Sequence, residues 1–274
     1  MRHIIFTRIA LDFVCPKHHQ LHNGDRTESW WGSRKPVKRV IKIWRQLSSQ
    51  SYEYQTVKAD VKVVLLYSEC NQDLMDAHSW PSWCELLKVD VPAEGIAHWC
   101  KDNIKAGERI TTTRIDADDS WSIDFFKYLN SMDYAERTLI LYKRHHQYDI
   151  ATDRLTSILW HPSPMFATIY WPSFPSDYDP EAAAGKTGSL LGVLGNHAWY
   201  AEVPHVEAER TYVIRRFDTS HENFSNIMSR FGYIGNNRLD KAEYIAQNSR
   251  VNDRFFGYGN LNDEEDVRWR PTTD

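Results

Sequence analysis

The chain has 274 residues, a formal net charge of −4, 42% hydrophobic and 26% charged residues, a balance that fits a globular protein able to bury a core without staples. No run approaches the ~20 apolar residues of a membrane span, and the N-terminus enters a strand-like run with no apolar leader, which predicts a cytoplasmic protein without a signal peptide. Net acidity argues against a chain-wide nucleic-acid footprint while leaving room for local basic patches, and the cysteines Cys15, Cys70, Cys84 and Cys100 contain no CxxC pair, so thiols are expected rather than a structural zinc site.

Residues 3–9 are β-branched and aromatic with little alternation, which predicts a buried parallel strand; Arg8 near its end is a candidate to meet a diphosphate. Residues 12–36 are polar and rich in His, Gly and Trp (His18, His19, His22, Trp30, Trp31) and read as a long loop, whose histidines lack further donors at ligand spacing. From Lys38 to Ser49 the apolar Val40, Ile41, Ile43, Trp44 and Leu47 recur at helical spacing, with Lys and Arg between them, so an amphipathic helix with a solvated basic face is expected. Val61 to Tyr67 is the clearest strand and ends at Ser68-Glu69-Cys70, where Glu69 is a further candidate for nucleotide contact. Strand, helix and strand in this order imply a βαβ unit and a parallel sheet. Residues 71–84 read as a loop or short helix, 85–89 as a short strand, and Gly95 to Lys105 as a helix carrying Ile96, Trp99, Cys100 and Ile104. Neither GxGxxG nor GxxxxGK[ST] occurs, which favours metal-mediated diphosphate binding over a glycine cradle.

The stretch from Arg109 to Trp121 carries the most chemistry. Ile110 to Thr113 with Ile115 predict a buried strand that delivers Asp116, Asp118 and Asp119 within four positions at its C-terminal end. Three carboxylates this close repel unless a cation offsets them, and Mg²⁺ or Mn²⁺ takes oxygen ligands from one or two carboxylates plus substrate phosphates. The end of a strand in an α/β sheet is also where ligands sit. The same spacing is common in turns, where Asp side chains bond nearby amides, so a plain turn stays open beside the site.

Thr112-Thr113-Arg114-Ile115-Asp116-Ala117-Asp118-Asp119 resembles the DxD stretch of nucleotide-sugar glycosyltransferases with the GT-A fold. With Thr-Arg ahead of the aspartates, and with His3-Ile4-Ile5-Phe6-Thr7-Arg8 as a first strand, the first half of the chain is similar to a bacterial rhamnosyltransferase family. The resemblance implies an α/β, GT-A-like fold, a mostly parallel central sheet flanked by helices. It implies Asp116 near the nucleoside ribose with Arg114 beside it, Asp118 as ligand to the cation, and Asp119 supporting the cation or the sugar.

After Trp121 to Leu129, expected as a helix, Thr138 to Tyr142 reads as a strand that pairs as a hairpin with 150–160 across the basic turn Lys143-Arg144-His145-His146. Phe166 to Trp171 is a further strand, and residues 172–190 read as a mobile surface loop in which Asp177, Asp179 and Glu181 are general-base candidates, Asp179 foremost. His197, between glycine and two aromatics, is either a satisfied, partly buried histidine or, as the resemblance implies, a further ligand to the same cation. Thr211 to Phe217 is strand-like with the dibasic Arg215-Arg216, Glu222 to Phe231 is helical, and 251–274 is an acidic tail. The expected organisation is a single domain over 1–250, with a nucleotide-sugar half (1–130) and a strand- and loop-rich acceptor half (131–250).

The leading expectation is therefore a hexosyl- or deoxyhexosyltransferase using a nucleotide-diphosphate sugar with Mn²⁺ or Mg²⁺. Its acceptor is a glycan or, given the basic patches with nearby aromatics, a modified DNA base. The alternatives are a metal-dependent nucleotidyltransferase or phosphohydrolase, and a non-enzymatic glycan- or protein-binding module in which the eleven tryptophans form platforms.

Overall fold

The opening run forms β1 (Arg2–Ala10), and a seven-stranded sheet assembles around it in the order β10-β6-β9-β4-β1-β2-β3. The computed structural model describes residues 1–11, 34–53, 55–117, 119–142, 144–149, 154–159, 167–184, 204–208, 213–217 and 236–237. In this sheet β1 pairs in parallel with β2 (Asp60–Tyr67) and β4 (Ile110–Asp116), and β2 pairs in parallel with β3 (Cys84–Lys88). On the far side β9 (Ala167–Trp171) runs antiparallel between β4 and β6 (Thr138–Leu141), and β10 (His205–Glu207) pairs in parallel with β6. The α/β class with a mostly parallel sheet is as expected from the alternation of strands and helices.

Helices cover both faces. On one face α1 (Arg34–Ile43), the π-helical turn Trp44–Ser48 and α2 (Gln50–Glu53) pack Val37, Ile41, Trp44 and Tyr52 against Ile5, Ile9, Val63 and Leu65, together with Phe125 and Phe126 of α5 (Phe125–Asn130). Beyond β2 a short 3₁₀ turn leads into α3 (Gln72–Asp76). On the other face α4 (Pro92–Asn103) and α6 (Pro180–Ala184) cover Ile4, Phe6, Val64 and Leu66. Proline at the start of α4 sits where its missing N–H costs nothing, and Glu94 in the first turn and Lys101 in the last match the helix dipole.

The threonines of β4 can be buried because each has a polar partner. Thr111 meets His3 Nδ1 at 2.8 Å, Thr112 accepts from the Trp171 indole at 3.1 Å, and Thr113 pairs with Thr168 at 2.8 Å. His3 Nε2 lies 3.1 Å from Asn130 Oδ1, so the imidazole is a neutral bridge, and it stacks on Phe126 with ring centroids 5.4 Å apart.

A second sheet of five strands, β12-β8-β7-β11-β5, is built from β5 (Ser120–Trp121), β7 (Arg144–Asp149), β8 (Arg154–Leu159), β11 (Val213–Phe217) and β12 (Asn236–Asn237). Here the sequence reading needs correction. The run 144–149, of which 144–146 were expected in a basic turn over 143–146, is itself a strand, and the hairpin joins it to 154–159 rather than joining 138–142 to 150–160. A ladder satisfies main-chain groups whatever the side chains are, so an apolar pattern is not required of it. Trp121 lies in β5 and not at a helix start, stacked on Phe125 at 3.9 Å with no exposed surface; α5 begins four residues later behind Asp124.

The expected mobile loop after β9 is, over 172–184, a packed segment. Phe174, Tyr178 and Ala183 are buried, and Lys101 donates to the Tyr178 carbonyl at 2.9 Å. Among the described tryptophans, Trp44, Trp99, Trp121 and Trp171 are core, while Trp80 and Trp83 lean on it half-buried. Cys84 and Cys100 are unbridged thiols that burial pushes upward in pKa. The helix expected from Gly95 starts earlier, at Pro92. Among the described residues no helix is long and apolar enough to cross a membrane. The expectations for 12–33, 185–190, 222–231 and 251–274 lie outside the described residues.

Two predictions follow from this packing. A Cβ at Gly95 would collide with Cγ1 of the buried Val89, so Gly95→Ala should cost about 1–3 kcal/mol in urea unfolding instead of giving the ~1 kcal/mol gain usual inside a helix. Burial lowers the His3 pKa from 6.5 to about 4. The unfolded chain therefore binds a proton that the folded chain refuses, and stability falls as pH drops from about 6.5 towards 4, by about 3 kcal/mol in all. Urea midpoints at pH 7.5 and at pH 5 should separate in the wild type, and the gap should shrink in His3→Gln.

Candidate functional site

The parallel register of β1 on β4 sets Arg8 directly opposite Asp116. Arg8 Nη2 lies 2.7 Å from Asp116 Oδ1, and Arg114 Nη2, two residues upstream on the same strand face, lies 3.6 Å from the same oxygen. Arg114 is buried, with its side chain 3% exposed, whereas Arg8 and Asp116 are about a quarter and a fifth exposed. Two guanidinium groups thus flank one carboxylate at the carboxyl end of the central strands. This revises the electrostatic premise drawn from spacing, since the cation beside Asp116 comes from the chain itself.

The turn that follows is tight. The Asp119 N–H donates to the Asp116 carbonyl at 3.2 Å, Ala117 is buried, and the Asp119 carboxylate is almost wholly enclosed. Asp119 lies towards the opposite sheet face, where its negative charge adds to burial in raising the Tyr52 pKa; Trp121 and Thr7 act against that rise. Thr7 Oγ1 and Trp121 Nε1 nevertheless complete no hydrogen bond, so a buried hydroxyl and a buried indole lie unsatisfied beside the Tyr52 phenol under the acid turn. Such buried polar groups are rare enough to mark the place. Sequence reasoning missed Tyr52 and Thr7, as each looks like one more residue of an apolar pattern; Trp121 was noticed only as part of a helix.

The sheet brings Arg8, Arg114, Asp116 and Asp119 together. Glu69 follows β2 at the same end but is exposed and held 2.5 Å from Lys88 Nζ, which it pulls up in pKa. Asp179 is not brought in. β9 runs antiparallel to β4, with Trp171 opposite Ile110, and Phe174 exchanges main-chain bonds with Gly107 and Glu108 ahead of β4. Asp179, which follows, therefore lies towards the amino end of the sheet, where its carboxylate accepts from the Glu181 N–H at 3.0 Å. Asp118 and His197 lie outside the described residues. Among the described residues no three acids, histidines or cysteines gather as a metal cage.

The second sheet grows from this same end. β5 follows the acid turn directly, and β7 and β11 follow the carboxyl ends of the parallel strands β6 and β10. β5 pairs with β11, Ser120 opposite Ile214 and Trp121 opposite Val213, which puts the Arg215-Arg216 segment on the strand beside the acid turn.

No family model matches the chain. No curated protein matches it either. Among solved structures it is similar to residues 1–349 of S. aureus TarS, with a TM-score of 0.41 and 12% identity over 84% of this chain. The alignment spans 64% of that TarS chain.

Asp116→Asn removes the carboxylate shared by two guanidinium groups, one of them buried, and should lower the unfolding free energy by about 1–3 kcal/mol. Glu69→Gln, at an exposed pair, should leave the urea midpoint unchanged. Equal effects at the two positions would contradict the geometry.

Proposed function

We propose that the chain is a GT-A-like glycosyltransferase that moves a sugar, a hexose or deoxyhexose as in the rhamnosyltransferase family it resembles, from a nucleotide-diphosphate donor to a hydroxyl acceptor. The observation that carries this reading is the Arg8–Asp116–Arg114 cluster leading into Ala117-Asp118-Asp119 at the carboxyl edge of a mostly parallel sheet. Ligands of open α/β sheets sit at that edge.

Each residue then has a physical role. Arg8, partly exposed, offers N–H donors to a diphosphate oxygen while holding Asp116, and a guanidinium suits that geometry. Asp116, oriented by both arginines, accepts from the ribose hydroxyls. Arg114, enclosed and permanently charged, fixes the strand end rather than touching donor. Asp119, enclosed beside Tyr52 and Trp121, shapes the turn. Asp118, with His197 and the donor's own phosphate oxygens, would hold Mn²⁺ or Mg²⁺, a hard-cation donor set compatible with few protein carboxylates. When bound, the cation supplies charge to offset the departing diphosphate. Asp179 is left out as general base, because it lies at the other end of the sheet.

The test is donor binding by calorimetry with UDP-, GDP- and dTDP-sugars, in Mn²⁺ and in EDTA. One nucleotide should bind only with the metal, and Asp118→Asn and Arg8→Met should each weaken it by about 10- to 100-fold. Absence of binding to every donor would end the reading and leave the aspartates as a turn.

A further inference from the structure

From residue 29 to 52 the sequence contains no acidic residue, yet Arg34, Lys35, Lys38, Arg39, Lys42 and Arg45 fall within twelve positions of a chain whose net charge is −4. The structure makes this a surface. In α1 the apolar Val37 and Ile41 are buried on the core, followed by Trp44, while Lys38, Lys42 and Arg45 are exposed. The exposed cations recur at helical spacing over about 10 Å of helix. Like charges at this spacing along one helix and turn repel each other.

An aromatic shelf adjoins the end of this stripe. Arg45 Nη1 donates to His78 Nδ1 at 3.0 Å; burial and the neighbouring Arg45 lower the His78 pKa and keep it a neutral acceptor. His78 meets Trp80 edge-on with ring centroids 6.1 Å apart, and the Trp80 indole is locked by donating to the Met75 carbonyl at 2.9 Å and by packing on Trp44. Trp80 is half-buried, so a rigid part of its ring reaches the surface beside Arg45. The turn Trp44–Ser48 in turn packs on β5, the strand that leaves the acid turn. Cationic stripe and fixed aromatic ring are therefore adjacent.

We infer that the exposed face of α1, with Arg45, His78 and Trp80, is a docking surface for a single-stranded nucleic acid. Cations set along a line track a phosphodiester backbone, and a fixed aromatic beside them stacks a base; that combination is how single strands are held without sequence readout. A simple anion would need neither the length of the stripe nor the ring. The surface does not depend on the donor reading.

The experiment is fluorescence anisotropy of the whole chain with a labelled single-stranded DNA of about 20 nucleotides, from about 50 to about 200 mM salt. Two probes are compared, the DNA and an abasic strand of the same length, and the DNA is also titrated with the Lys38→Gln/Lys42→Gln/Arg45→Gln variant. Binding should weaken steeply with salt, and the triple variant should lower the log–log slope by about 2, since each lost phosphate contact on a single strand removes about 0.7. The abasic strand should bind about 5- to 150-fold more weakly, with its slope unchanged. No DNA binding, or an unaltered slope in the folded triple variant, overturns the surface. Equal affinity for the abasic strand overturns the nucleic acid and leaves a general anion patch. Nucleotide-sugar binding by the triple variant should stay at the wild-type level, so failure here and failure of the donor reading are separate results.

Discussion

The parallel pairing of β1 with β4 is the constraint on which the rest depends. It decides that Arg8 stands across from Asp116 and that Arg114, two residues before, shares the same face. A slip of one residue would turn Arg8 to the opposite face and leave Arg114 buried against apolar side chains. The register is locked at the other end of the strands by the His3 bridge between Thr111 and Asn130. A neutral, enclosed imidazole near the amino ends thus helps hold a charged cluster near the carboxyl ends, through nothing more than the rigidity of a ladder.

The two sides of the acid turn differ in chemistry. Asp116 faces guanidinium groups and partial solvent, and Asp119 faces a phenol, an indole and a closed interior. Carboxylates three positions apart therefore need not act as one cluster. The turn between them works as a partition, with a wet, cation-rich side and a dry, hydrogen-bonding side.

Much of the larger sheet was legible in the sequence. β1, β2, β3, β4, β6 and β9 announce themselves as β-branched or apolar runs, and their boundaries agree with the reading to within a residue or two. The clustering of Arg8, Arg114, Asp116 and Asp119 was partly legible, because parallel strands collect their ends. What remained hidden has physical causes. The polar strand 144–149 is held by main-chain pairing, which leaves no side-chain period to read. Asp179 looked like a site residue because acidity in a proline-rich stretch suggests a surface loop, and only the antiparallel course of β9 shows that it lies at the wrong end. Tyr52 carried no signal, since its approach to Thr7 and Trp121 joins residues far apart in the chain.

The smaller sheet leaves the larger one at a single rim, and this divides the molecule into a part that can vary and a part that cannot. Strands β5, β7, β8 and β11 pair among themselves in a sheet separate from the larger one, tied to its core where Trp121 stacks on Phe125. The opposite rim, with the left-handed Gly107 turn between α4 and β4, has no such burden. A chain built this way could change the molecules it handles by rewriting one rim, while the scaffold that positions Arg8 and Asp116 is inherited intact.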